Sequence, residues 1–241
     1  MRTRYNYEID PNFAFLKSFV ASLPDAFDSF GEVIYKGRNT LRRGNIEGVD
    51  FAVKAFKPPH IINRVAYTFF RPSKAERSYR YSYVLLEKGI STPQPVAFLE
   101  EIRGGFLYRS YYVSLFSDYP RNLREFWVEP EIGNRASILT DYARFTTEMH
   151  NAGVLHLDYS SMNILFDCDG TETRFHVIDI NRMRFGKVSE EEGYRNFSRL
   201  WLPEHTYNHI AEAYAEARGY DKKRAVERVR YYKDKYMSKK K

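Results

Sequence analysis

Asp158 and Asn163 stand five positions apart in His156-Leu-Asp-Tyr-Ser-Ser-Met-Asn163-Ile-Leu-Phe, and a second carboxylate, Asp179, closes the apolar run Phe175-His-Val-Ile. Apolar runs of this length, rich in β-branched and aromatic residues, read as short strands. Any fold that this chain adopts must therefore present two carboxylates and an amide at strand ends. Few architectures do that.

The bulk numbers set the frame. With 241 residues, 43% of them hydrophobic, the chain suits one two-lobed domain or two small ones with a sizeable core. Its single cysteine, Cys168, excludes an intrachain disulfide and is compatible with a reducing compartment. The first ten residues lack the apolar core of a signal peptide, and no apolar run approaches the ~20 residues that span a bilayer. A cytoplasmic location is the expectation. The net charge of +7 points to an anionic partner: a phosphate-rich substrate, an anionic lipid surface or a nucleic acid. Nucleic acid is not expected, because neither zinc-ligand spacing nor a recognition helix accompanies the charge. Part of that charge lies in Lys222 to Arg230 and in Lys239-Lys240-Lys241, which read either as a solvated helix face with a frayed tail or as a membrane-surface patch.

Along the chain, runs near Gly31 to Lys36, Thr40 to Ile46 and Val49 to Lys57 predict an antiparallel meander. A helix follows from Ser73 to Lys88, with Ser73 and Glu76 forming a capping box and Gly89 ending it. Val96 to Glu101 and Phe106 to Phe116 form a hairpin through Arg103-Gly104-Gly105. Past Asp118-Tyr-Pro120 the pattern turns helical. Asn134 to Asn151 carries the apolar stripe Ile138, Leu139, Tyr142, Phe145, Met149 and His150, and Ser189 to Arg199, Glu204 to Arg218 and Asp221 to Tyr236 are further helices.

Phosphoryl transfer requires a carboxylate beside the attacking hydroxyl, oxygen ligands for Mg²⁺ and a cation on the phosphates. The chain offers all three in the order used by the protein-kinase-like superfamily. Asp158 would take the proton of the acceptor hydroxyl, Asn163 would give an uncharged oxygen to the metal, and Asp179 would bridge Mg²⁺ between phosphates. Lys54, in Phe51-Ala-Val-Lys54 on a strand, matches the superfamily's phosphate-binding lysine. Glu76 is its candidate partner, although Glu76 also has a capping role and Glu87 shares the helix. Gly37-Arg-Asn-Thr-Leu-Arg-Arg-Gly44 takes the place of the phosphate-covering loop without the G-x-G-x-x-G pattern, and two such glycines also describe a plain hairpin. His156 reads as a buried scaffold of the loop. With His150 and His176 it lacks the compact spacing of a zinc site.

These motifs, with Gly89-Ile-Ser-Thr-Pro-Gln-Pro95, resemble the lipopolysaccharide core kinase family, which includes Kdo and heptose kinases, over about residues 30 to 200. The resemblance implies an α+β, two-lobed protein-kinase-like fold. Its nucleotide-binding lobe, 1–117, would be a small antiparallel sheet with one main helix, and its catalytic lobe, 118–241, mainly helical. It further implies ATP and Mg²⁺ as cofactors, Phe116 and Asp118 on the adenine side of a hinge, and a lipid-linked inner-core sugar, foremost Kdo on lipid A, as acceptor. The enzyme would sit peripherally at the anionic cytoplasmic face of the inner membrane. Three departures argue against protein substrates: Ser160 replaces the usual lysine, no Ala-Pro-Glu follows Asp179, and Asp-Phe-Gly is Asp179-Ile-Asn181. A soluble-acceptor kinase of the aminoglycoside or choline type and a pseudokinase binding module are the alternatives. Kdo versus heptose and the oligomeric state stay open.

Overall fold

The computed structural model describes residues 3–58, 71–128, 133–170 and 172–239. Met1 and Arg2, and Lys240 and Lys241 of the terminal lysine run, lie outside the described residues. Two compact units emerge, one from residues 1–84 with 93–117 and the other from 85–92 with 118–241.

The first unit is built on a six-stranded antiparallel sheet in the order β1-β5-β6-β4-β3-β2. Its strands are β1 (Thr3–Ile9), β2 (Glu32–Lys36), β3 (Thr40–Ile46), β4 (Val49–Phe56), β5 (Pro95–Arg103) and β6 (Phe106–Leu115). The meander and the Gly104-Gly105 hairpin fall where the residue pattern predicts. Strand β1 is an addition, pairing Thr3–Ile9 with Ala97–Arg103 along an edge. Helix α1 (Lys17–Ala26) is a second helix beside the one expected in this part of the chain. It presses Val20 and Leu23, with Leu16 and Phe27 beside it, onto Phe51, Val53, Leu99, Tyr111 and Val113 on one sheet face. Helix α2 (Lys74–Glu87) covers the other face, where Ala75 and Tyr79 meet Phe56 and Phe98. Strand side chains alternate between faces. Phe51 and Val53 therefore point to α1, while Lys54 shares with Phe56 the face under α2.

Local chemistry accounts for the ends of α2. Ser73 Oγ accepts the Glu76 amide at 3.1 Å, a serine N-cap. At the other end Gly89 adopts φ +73°, and the Ile90 amide returns to the Leu85 carbonyl at 2.8 Å, a glycine stop.

The second unit contains α3 (Glu125–Val128), α4 (Arg135–Asn151), α5 (Glu190–Asn196), α6 (Glu204–Arg218) and α7 (Lys222–Ser238). The predicted stripe of α4 is inside: Ile138, Leu139, Tyr142, Met149 and His150 are buried, and Phe145 stacks on Phe175. Ser189 and Glu192 close a reciprocal capping box on α5, and Asp221 caps α7. Small sheets complete the unit: β7 (Arg121–Asn122), β9 (Ile164–Cys168) and β10 (Thr173–Val177) in the order β10-β9-β7, and β8 (Val154–His156) with β11 (Met183–Phe185). Among the described residues no helix is long and apolar enough to cross a membrane.

Candidate active site

Two strand pairs of the second unit carry the polar triplet. Asp158 lies just past β8, Asn163 closes a single 3-10 turn that leads into β9, and Asp179 lies just past β10. Because Val177 pairs with Ile164 in the β9–β10 hairpin, the residues beyond each strand end stay adjacent. The Ile178 amide donates to the Asn163 carbonyl at 3.0 Å, and the Leu157 amide donates to the Arg182 carbonyl at 2.8 Å. The segments 157–163 and 178–182 are thus stitched together at both ends.

His156 is the internal brace. It is fully buried, and its Nδ1 accepts the Asp158 amide at 3.0 Å while Nε2 meets the Ile178 carbonyl at 3.1 Å. A backbone N–H can only donate and a carbonyl can only accept, so the imidazole is neutral with its proton on Nε2. Burial pushes its pKa below the ordinary histidine value, which favours that neutral form. Asn196 Nδ2 donates to the His156 carbonyl at 2.8 Å and Asn196 Oδ1 meets His150 Nε2 at 3.0 Å. His150 Nδ1 in turn meets the Tyr214 hydroxyl at 2.8 Å. A buried polar chain therefore runs from α6 through α4 and α5 to the loop that carries Asp158.

Asn163 and Asp179 have the chemistry of hard-cation ligands. Asn163 Nδ2 donates to the Asp158 carbonyl at 2.9 Å, which fixes the amide and leaves its oxygen on the end opposite that bond. Asp179 takes φ +56°, a left-handed conformation that Asp and Asn tolerate better than other residues with a side chain. Asn181 Nδ2 steadies its Oδ1 at 2.7 Å. Among the described residues no group of three or more His, Cys, Asp or Glu could enclose a metal. One carboxylate and one amide oxygen fit Mg²⁺, which keeps water and phosphate oxygens for its other positions.

Asp158 is held by two arginines that the sequence pattern does not single out. Arg199 Nη1 donates to Asp158 Oδ1 at 2.6 Å and also to the Leu157 carbonyl at 2.9 Å. Arg182 Nη1 reaches Asp158 Oδ2 at 3.3 Å. They lie 24 and 41 residues from Asp158 in sequence, beyond the reach of any local motif.

The remaining candidates sit elsewhere in the units. In the first, Lys54 pairs across the ladder with Tyr112, whose hydroxyl bonds Ser82 of α2 at 2.8 Å. Its Nζ lies 5.4 Å from the Phe56 ring. Glu76 binds Arg80 Nε at 2.8 Å. The Phe116 amide donates to the Asp50 carbonyl at 2.9 Å, and the Arg43 guanidinium covers the Phe116 ring at 4.3 Å. Asp118 belongs to the second unit, is exposed, and precedes Tyr119, which stacks on His176 at 3.9 Å. A short hairpin lies where the phosphate loop is expected, and in it the Gly37 amide donates to the Asn39 carbonyl at 3.1 Å. Gly44 lies inside β3, where a Cβ would come within 2.5 Å of the Phe30 ring, so close ring packing accounts for that glycine.

Comparison with known proteins agrees with this architecture. Among solved structures, "WaaP in complex with acyl carrier protein" superposes with a TM-score of 0.64 over 95% of this chain and 98% of that one, at 18% identity. No curated protein sequence gives a match. A sequence model of the lipopolysaccharide kinase (Kdo/WaaP) family matches residues 53–213, a range that includes Lys54, Asp158, Asn163, Asp179, Arg182 and Arg199. The chain accordingly belongs to the lipopolysaccharide kinase (Kdo/WaaP) family, whose members are phosphotransferases acting on sugar hydroxyls, with ATP implied as the donor.

Proposed function

We propose that the protein transfers the γ-phosphoryl group of ATP to a hydroxyl of Kdo carried on lipid A. The observation that carries the site assignment is the bonded pair Asp158 and Asn163, braced by His156 against the segment that carries Asp179. Asp158 orients the acceptor hydroxyl and accepts its proton at a carboxylate oxygen. Asn163 and Asp179 hold Mg²⁺ through their oxygens. Lys54, oriented by Glu76, supplies a cation to the phosphates, and Phe116 and Asp118 line the adenine side. Bound Mg·ATP supplies the electrophilic phosphorus and neutralises charge on its oxygens.

A lipid-linked acceptor is supported by apolar exposure beside the base. Leu157 and Met162, on either side of Asp158 in the loop, are each 49% exposed. Apolar side chains beside a reacting centre suit an acceptor presented at a lipid surface. The +7 charge favours peripheral attraction to the anionic cytoplasmic face of the inner membrane.

The test is mass spectrometry of Kdo–lipid A incubated with Mg·ATP and either the parent enzyme or Asp158→Ala. A gain of one phosphate with the parent is expected, falling by roughly 10²–10⁴-fold in rate with the variant while ATP binding persists. Phosphorylation of heptose-bearing or soluble aminoglycoside-type acceptors in its place would overturn the acceptor. Equal rates for parent and variant would overturn the base.

A further inference from the structure

The function proposed above uses Asp158 but leaves its two arginines without a role. Two guanidiniums share one carboxylate, so the cluster carries one positive charge beyond neutrality at the point where the acceptor hydroxyl must arrive. The two contacts are not alike. Arg199 makes a short charge-assisted bond at 2.6 Å and is also anchored to the Leu157 carbonyl, with its guanidinium 5.3 Å from the Tyr236 ring. Its side chain is 31% exposed. Arg182 touches the other oxygen at 3.3 Å and is 47% exposed, although its backbone is fixed by the Leu157 amide. One arm is tied down and the other is a loosely held cation on a rigid base.

Resting on the acceptor reading above, we propose that Arg182 is an acceptor-anion subsite and that Arg199 is a positioning residue for Asp158. The incoming hydroxyl takes the Oδ2 position that Arg182 occupies, and the released guanidinium binds an oxyanion of the same acceptor molecule. Arg199 stays in place and keeps the carboxylate aimed. The exchange conserves charge pairing: Arg182 leaves one anion for another, so the hydroxyl and the acid group of the acceptor reinforce each other's binding. A planar guanidinium suits either a carboxylate or a phosphate. A sugar acid on a phosphorylated lipid offers both.

Steady-state kinetics of the parent, Arg182→Ala, Arg199→Ala and Arg199→Lys separate these roles on three acceptors. The first is intact, the second has the sugar carboxylate reduced to an alcohol with phosphates kept, and the third is dephosphorylated with the carboxylate kept. Arg182→Ala is expected to raise KM about 10- to 100-fold on the intact acceptor, as loss of one charged hydrogen bond implies. That penalty disappears on whichever acceptor lacks the anion that Arg182 reads, which tells carboxylate from phosphate. Arg199→Ala is expected to lower kcat on all three with KM little changed, and Arg199→Lys to restore part of it. The same Arg182 penalty on all three acceptors, or none on any, overturns the subsite. An Arg199→Ala effect confined to KM overturns the positioning role. The two readings fail separately, because titration with inorganic phosphate and with the free sugar acid requires no turnover. Weaker binding of either anion by Arg182→Ala than by the parent supports the subsite even if the acceptor proves to be a different sugar, and equal binding of both overturns it.

Discussion

The loop from His156 to Asn163 and the hairpin around Gly37 both connect short strands, yet they are held in opposite ways. The first is tied to the 178–182 segment by backbone bonds and by a fully buried imidazole. The second joins β3 to β2, an edge strand whose residues are all exposed. The role proposed for the first loop depends on placing a few atoms to within fractions of an ångström. A buried polar chain supplies that rigidity, at the cost that every member must stay bonded. An exposed hairpin tolerates change because water satisfies whatever it loses.

The sharpest way to break this contrast is His156→Ala, which removes the brace and leaves the Asp158 amide and the Ile178 carbonyl without their partner. A loss on the order of 4 kcal/mol is expected from the cavity and the orphaned groups together. Chemical denaturation measures it, and a loss under about 1 kcal/mol would show that the brace is dispensable. Acid should attack the same region. Burial lowers the His150 pKa from 6.5 to about 4 and shifts His156 in the same direction. The unfolded chain then binds more protons than the folded one as pH falls through 6.5, so stability declines from there toward pH 4. His150 alone contributes on the order of 3 kcal/mol of that decline. Melting temperatures across this range should fall in the parent and fall less steeply in His150→Gln; parallel slopes would remove His150 as the cause.

Smaller effects test the hairpin. Gly44→Ala forces a methyl against the Phe30 ring, to which a Cβ at this position would stand only 2.5 Å away, and should cost about 1–3 kcal/mol. Gly37→Ala meets only the Tyr35 hydroxyl end, also at 2.5 Å, on an exposed side chain that can swing away. Its expected change is within about 0.5 kcal/mol, as for most exposed positions. Thermal melts of the two variants should therefore differ clearly, and equal losses would show that the hairpin is held more tightly than its exposure implies.

What can be read from the residues alone follows the range of the interactions involved. Helix α2 is legible through Ser73 and Gly89, and α5 through Ser189, because caps are settled within a few residues. Helix α1 is not, although Leu16, Val20, Leu23 and Phe27 form a helical stripe, because Pro24 within it looks like a breaker. Strand β1 does alternate, Tyr5, Tyr7 and Ile9 against Arg4, Asn6 and Glu8, but its residues are exposed or nearly so, and which strand it pairs with is decided only by the edge that β5 offers. Of the glycines of the expected phosphate loop, Gly44 has a packing reason in the Phe30 ring, which residue type and spacing do not reveal.

By itself the sequence determined the chemical inventory of this protein: two carboxylates and an amide at strand ends, a strand lysine, and the capped helices around them. These depend on residue type and short spacing, which are properties of neighbours in the chain. Tertiary structure alone decided that His156 is neutral and bridges two loops, that Asp179 sits in a left-handed turn, and that Arg182 and Arg199 converge on Asp158 from 24 and 41 residues away. The physical reason is that burial and ion pairing act through space. Where distant segments meet is set by the packing of the whole core, and only there do a histidine's proton and an aspartate's partners become defined.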